Sequence, residues 1–205
     1  MSLENPEARP IEYAARLIHR GEVVAIPTDT FYGLAADPFN LAAVDRIYTL
    51  KGRPEQRALP VLVNSIDQAQ ELAAYLPETF YRLTEKFWPG ALTLVVDAAA
   101  GIPLKVTGNT GRIALRLPGS KISRAVIVAV GAPVTGTSAN ISGFAPCSSG
   151  EQVQKQLGEQ LPLILNAGDT RAKLPSTVAE LRHEEWRILR EGVIREEQIR
   201  AALAR

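Results

Sequence analysis

One cysteine, two histidines and a net charge close to zero set the first limits on this 205-residue chain. A lone thiol, Cys147, leaves no internal disulfide framework and no cysteine-rich metal site. His19 falls on an expected helix and His183 in a charged loop, so Ser-His, Cys-His and histidine-metal chemistries lack their central group. The formal charge of +1 gives no general field for nucleic-acid phosphates, and any anion site must be local. No uninterrupted apolar run reaches the ~18 residues of a membrane span. Glu4, Glu7 and Glu12 precede any apolar stretch, unlike a signal peptide, which leads to an expected cytoplasmic location. With 46% apolar residues and no repeat or long linker, the expectation is one domain over residues 1–205.

Apolar spacing predicts helices over 10–20, 41–50, 65–74, 77–87, 120–130, 149–157 and 195–204. It predicts strands over 23–26, 59–63, 92–96, 112–117, 132–135, 163–165, 177–181 and 186–189. Helices alternating with strands define an α/β class, and the strand-rich last third points to a mixed sheet. Asn40 stands where it can cap the helix that begins at Leu41.

Three polar segments carry the chemistry. Pro27-Thr28-Asp29-Thr30-Phe31-Tyr32-Gly33-Leu34 follows the β-branched run that ends at Ile26. Pro27 has no N–H for a sheet ladder, so the strand ends there and delivers hydroxyls, a carboxylate and a phenol at its tip. Lys51-Gly52-Arg53-Pro54, with Arg57 four residues past Arg53, sets three cations around a Gly-Pro loop. That is either a clamp for polyphosphate or carboxylate, or a solvated helix end. Thr135-Gly136-Thr137-Ser138-Ala139-Asn140 is either a cradle of hydroxyls and backbone N–H groups or an ordinary turn capped by Asn140. Arg112, Ala114 and Arg116 share one face of a strand, and a buried arginine there requires an acidic partner or an anionic ligand.

Taken in order, strand-PTDT-x-YGL, KGRP, WPG-x-LT, R-x-A-x-R-x-P and TSAN-x-SG resemble the YrdC/TsaC family of L-threonylcarbamoyladenylate synthases, from about Ile11 to Arg190. The resemblance implies a YrdC-like twisted mixed sheet with flanking helices around a positively lined cavity. It implies conversion of L-threonine, bicarbonate and ATP, with Mg²⁺ accompanying ATP, into threonylcarbamoyl-AMP and pyrophosphate. The product would serve a tRNA threonylcarbamoyl-transferase complex, with contact to tRNA itself. By motif position, Thr30, Arg116 and Ser176 correspond to threonine-binding residues. Lys51, Arg53, Ser138, Asn140 and Arg190 correspond to the nucleotide side, with Arg57 and Arg112 near ATP; Lys51 and Arg53 are the expected catalytic cations, exposed in the cavity. Metal ligands are not assigned. A YciO-like paralogue and an RNA-binding module of the same fold are the alternative readings.

Overall fold

The structure, a computed structural model, describes residues 8–170, 172–183 and 185–204; Glu4 and Glu7 lie outside them. Helix α1 (Ala8–His19) carries its apolar stripe on Ala14, Ala15, Leu17 and Ile18, all buried. Gly21, at φ +80°, follows it in the left-handed region that an L side chain adopts only with strain. Strand β1 (Val24–Ile26) stops at Pro27 as expected. Strand β2 (Gly33–Ala35) pairs antiparallel with it.

Helix α2 (Leu41–Lys51) begins at Asn40, whose side chain accepts from the Ala43 N–H, and ends at Gly52 with φ +55°. Then come β3 (Pro60–Leu62), α3 (Ile66–Leu72) and α4 (Glu78–Phe87). Strands β4 (Leu92–Asp97) and β5 (Arg112–Arg116) precede α5 (Lys121–Val130). Two short strands, β6 (Val134–Thr135) and β7 (Thr137–Ser138), lead to α6 (Gly150–Leu157). Strands β8 (Thr177–Arg182) and β9 (Glu185–Arg190) and helix α7 (Glu196–Leu203) complete the order. Serines 65, 120 and 149 cap α3, α5 and α6 through their hydroxyls, which explains why these helices start where sequence spacing puts them.

Six strands form a mixed sheet in the order β6-β3-β5-β4-β8-β9, with β3–β5 and β4–β8 parallel and the other pairs antiparallel. Three further strands, β1-β2-β7, form a separate antiparallel sheet that apolar patterning does not reveal. The expected strand over 23–26 supplies β1, but β2 and β7 are three and two residues long, too short for an alternation to register. The expected strand over 163–165 is reduced to one isolated bridge, Ile164 against Ala25.

The larger apolar cluster includes Leu92, Leu94 and Leu115 of the six-stranded sheet, with Phe80 and Leu83 from α4. Phe80 is fully buried and meets Tyr81 and Trp88 edge to face. Truncating such a phenylalanine to alanine costs about 3–5 kcal/mol. A second cluster joins α1, α5 and the outer face of β1. The two sheets meet where β6 turns into β7 at Gly136. A Cβ there would run into the Leu62 side chain, so only glycine lets β3 come this close. A cavity opens beside that junction.

Candidate functional site

The cavity has a volume of about 330 Å³ and is lined from both sheets. The loop after β1 supplies Thr28, Thr30 and Tyr32, β5 supplies Arg116, and the loop after α2 supplies Arg53. Ser138 and Asn140 come from β7 and its continuation, Ser176 precedes β8, and Arg190 ends β9. No Asp or Glu is among the lining residues.

On one side, the 28–31 turn closes on itself. Thr28 Oγ1 accepts from the Thr30 N–H at 3.1 Å and donates to the Phe31 carbonyl at 2.6 Å. This fixes Thr30 beside Arg116, whose Nη1 donates to Thr30 Oγ1 at 3.1 Å. Arg116 Nε donates to the Gly90 carbonyl at 2.9 Å, and Nη2 lies 2.7 Å from Asp29 Oδ1. Asp29 also accepts from the Gly119 N–H at 2.8 Å and does not line the cavity. It is therefore a counter-ion to Arg116 and not itself a ligand to anything in the cavity. The two readings of Arg116, structural ion pair and ligand-facing cation, are both realised in one side chain. Burial pulls its pKa below the ordinary guanidinium value, with Asp29 opposing.

Next to it, Ser176 Oγ lies 2.9 Å from Thr93 Oγ1, and Arg190 Nη2 donates to the Ser176 carbonyl at 2.8 Å and its hydroxyl at 3.2 Å. Burial, and then the positive charge of Arg116, lower the Arg190 pKa. Arg53 donates to the carbonyls of Ala58 at 2.8 Å and Arg57 at 3.3 Å. Its pKa is lowered first by burial; Tyr48 opposes this, while Arg57 and Arg190 lower it further. Arg53, Arg190 and Arg116 thus form a run of guanidiniums each of which senses the next. Among the described residues, Arg116 alone of the three has a carboxylate beside it.

Asn140 does not cap a helix. Its Nδ2 donates to the carbonyls of Ile141 at 2.8 Å and Phe144 at 2.9 Å, and its buried Oδ1 has no partner. A buried acceptor left unpaired at a cavity wall is positioned for a donor from a bound molecule.

Three expected site residues stand elsewhere. Lys51 is only 1% exposed and does not line the cavity, contrary to an exposed catalytic cation. Its ammonium donates to the carbonyls of Ser138 and Asn140. Burial first, and then Arg53, lower its pKa to about 8. Arg57 is exposed, and it is its carbonyl, not its guanidinium, that receives bonds from Tyr48 and Arg53. Arg112 lies at the far end of β5, bound to Asp97 at 2.6 Å and Glu180 at 3.0 Å, and donates to the carbonyls of Val95 and Leu181. Those partners satisfy it away from the cavity. Thr93, the last residue of the WPG-x-LT element, lines the cavity although no site role was expected of it, and Phe144 lines it outside the motifs. A polar threonine inside the apolar run 92–96 is a signal for the first; nothing local marks the second.

A mixed α/β frame gathers hydroxyls, one amide and the guanidiniums of Arg53, Arg116 and Arg190 around a strand-end cavity, groups of the kind that suit small anionic molecules. Residues 16–192 match the Sua5/YciO/YrdC family, described as "Telomere recombination", and the chain belongs to that family. It is 36% identical over 198 residues to the threonylcarbamoyl-AMP synthase of Pyrococcus abyssi, covering 96% of this chain and 58% of that protein. The threonylcarbamoyl-AMP synthase of Vibrio vulnificus is 34% identical over 185 residues, covering 89% of this chain and 98% of that one. Among solved structures, P. abyssi Sua5 complexed with L-threonine superposes with a TM-score of 0.94 at 35% identity, covering 98% of this chain and 59% of that one. The chain therefore spans little more than half the length of the P. abyssi protein. Among the described residues, no helix is long and apolar enough to cross a membrane.

Proposed function

We propose that this chain is a threonylcarbamoyl-AMP synthase, joining L-threonine, bicarbonate and ATP into threonylcarbamoyl-AMP with release of pyrophosphate. The observation that carries the reading is the run Arg116–Arg190–Arg53 along a wall without carboxylates, which matches two anionic substrates side by side. Similarity to a Sua5 whose structure holds L-threonine supports the amino-acid side of the assignment.

In this reading Arg116 takes the threonine carboxylate on the N–H groups that Gly90, Thr30 and Asp29 do not occupy. Thr30 and Ser176 orient the rest of the amino acid through their hydroxyls. The threonine amine adds to bicarbonate with loss of water, giving a carbamate. A carbamate oxygen then forms a bond to the α-phosphorus as the bond to pyrophosphate breaks. Arg53 and Arg190 stabilise negative charge on the phosphate oxygens, a contribution that is largest where water is excluded. Ser138 and Asn140 complete the nucleotide side. The chain offers positioning and charge in place of a covalent nucleophile.

Among the described residues, no group of three or more His, Cys, Asp or Glu side chains stands together as a metal site. With no carboxylate in the lining, these residues do not fit a resident divalent cation. Mg²⁺ belongs with ATP as part of the substrate, on the phosphate oxygens. The pathway role, supply of the threonylcarbamoyl group to a transferase acting on tRNA, comes with the same reading.

The purified 205-residue chain is incubated with ATP, bicarbonate and L-threonine, and products are resolved by mass spectrometry. Threonylcarbamoyl-AMP and pyrophosphate are expected to form only when all three are present. Pyrophosphate release indifferent to threonine and bicarbonate would refute the assignment.

A further inference from the structure

Lys51 and Arg53 are two residues apart in one motif, yet only Arg53 reaches the cavity. Gly52 explains the divergence. Its left-handed conformation ends α2 and lets the Arg53 N–H return to the Tyr48 carbonyl, so the chain turns between the two cations. Lys51 remains inside the protein with its ammonium on the carbonyls of Ser138 and Asn140 and its own carbonyl accepting from the Ser142 N–H at 2.8 Å. Both the side chain and the main chain of Lys51 thus grip the same five-residue stretch, 138–142. Among the described residues no carboxylate pairs with it, and burial, then Arg53, lower its pKa.

We propose that Lys51 is a positioning residue for the nucleotide half of the site: it holds the backbone of residues 138–142 so that Ser138 and Asn140 face the cavity, and it does not contact phosphate. Lys51 does not line the cavity, and drawing its ammonium out to a phosphate would take it off the Ser138 and Asn140 carbonyls and strip the buried Asn140 carbonyl of its donor. The held segment also fixes the adjoining turn. Asn140 Nδ2 binds the Phe144 carbonyl, and the Phe144 N–H donates to the Ile141 carbonyl at 3.0 Å. The hold therefore extends from the end of α2 to an aromatic ring, 63% exposed, in the cavity lining.

This inference rests on the nucleotide-binding reading, and the test separates the two. Affinities of AMP, ADP and ATP are measured by calorimetry for the wild-type chain, Lys51→Met and Lys51→Arg, with amide hydrogen exchange of 138–144 monitored in parallel. The positioning role predicts that K51M weakens all three nucleotides by one common factor of at least ~10. It also predicts that K51R fails similarly despite keeping its charge, and that exchange at Ser142 speeds up by at least ~10-fold. A loss that grows with each added phosphate, unchanged Ser142 exchange, or undiminished affinity overturns the proposal. If K51M does not fold, the wild-type structure with ATP decides: Nζ within hydrogen-bond reach of a phosphate oxygen overturns it, and Nζ on the Ser138 and Asn140 carbonyls with no phosphate oxygen in reach upholds it. Failure of the wild-type chain to bind any of the three nucleotides rejects the nucleotide reading and this inference together.

Discussion

Arg112 and Arg116 sit on the same strand and the same face, four residues apart, and have opposite fates. At Arg112, neighbouring strands β4 and β8 bring Asp97 and Glu180, and two carbonyls take further N–H groups. The charge is neutralised within the sheet by two carboxylates, away from the cavity that Arg116 lines. At Arg116 the partners come from loops: Gly90, Thr30 and a single carboxylate, Asp29. Each terminal nitrogen keeps an N–H that these partners do not take, and the group lines a cavity. Strand alternation puts both arginines on one face; what distinguishes a structural arginine from a functional one is which segments fold over that face.

Substitutions sharpen that contrast. The largest effect is expected from Arg116→Lys, which keeps the charge but loses the planar fork. Threonine affinity, read by calorimetry, should fall by about 2–5 kcal/mol, while ATP affinity stays nearly unchanged. A lysine variant that binds threonine normally would remove Arg116 from the site. Arg53→Ala comes next and mirrors it: ATP affinity should drop by about 1.5–3 kcal/mol with threonine binding and thermal stability retained.

Arg112→Met should reverse the pattern, lowering stability to denaturant by about 1–3 kcal/mol and leaving both affinities alone. Its pH dependence is predictable. Burial pushes the Glu180 pKa up, but Arg187, Arg182 and Arg112 outweigh it and hold the carboxyl below its ordinary 4.5. The stability this carboxylate adds is therefore fully present above pH 4.5 and is lost as pH falls through the lowered value. The gap between wild type and Arg112→Met should narrow there, and a gap constant to low pH would contradict the pairing. Ser176→Ala removes one hydroxyl, and a rise in threonine KM corresponding to about 0.5–1.5 kcal/mol is expected, with kcat less affected.

Lys51 gives a slope instead of a step. Its folded pKa of about 8 lies below the ordinary 10.5, so the folded chain loses this proton first as pH rises. Between those values the unfolded chain holds more protons, and stability should rise with pH relative to Lys51→Met. Chemical denaturation from pH 7 to 10.5 reads this directly; a falling difference would mean that the ammonium is stabilised where it sits.

Much of the frame is legible from local chemistry. Caps at Asn40, Ser65, Ser120 and Ser149 mark helix starts because a side-chain oxygen satisfies orphan N–H groups wherever the helix is placed. Pro27 ends β1 for an equally local reason. The strands β2 and β7 escape detection because two or three residues carry no period, and they exist only through pairing with each other and with β1. The site divides in the same way. Thr30, Arg53, Arg116, Ser138, Asn140, Ser176 and Arg190 do line one cavity, whereas Lys51, Arg57 and Arg112 do not.

Residue order and the ends of the helices follow from local chemistry, since they depend on neighbours a few positions away. The tertiary structure alone decided which cations meet carboxylates, which meet carbonyls and which meet open space. Charge compensation depends on groups brought from 60 to 90 positions away, as with Arg112 and Glu180, Arg116 and Asp29, and Lys51 and Asn140. No local pattern encodes that distance.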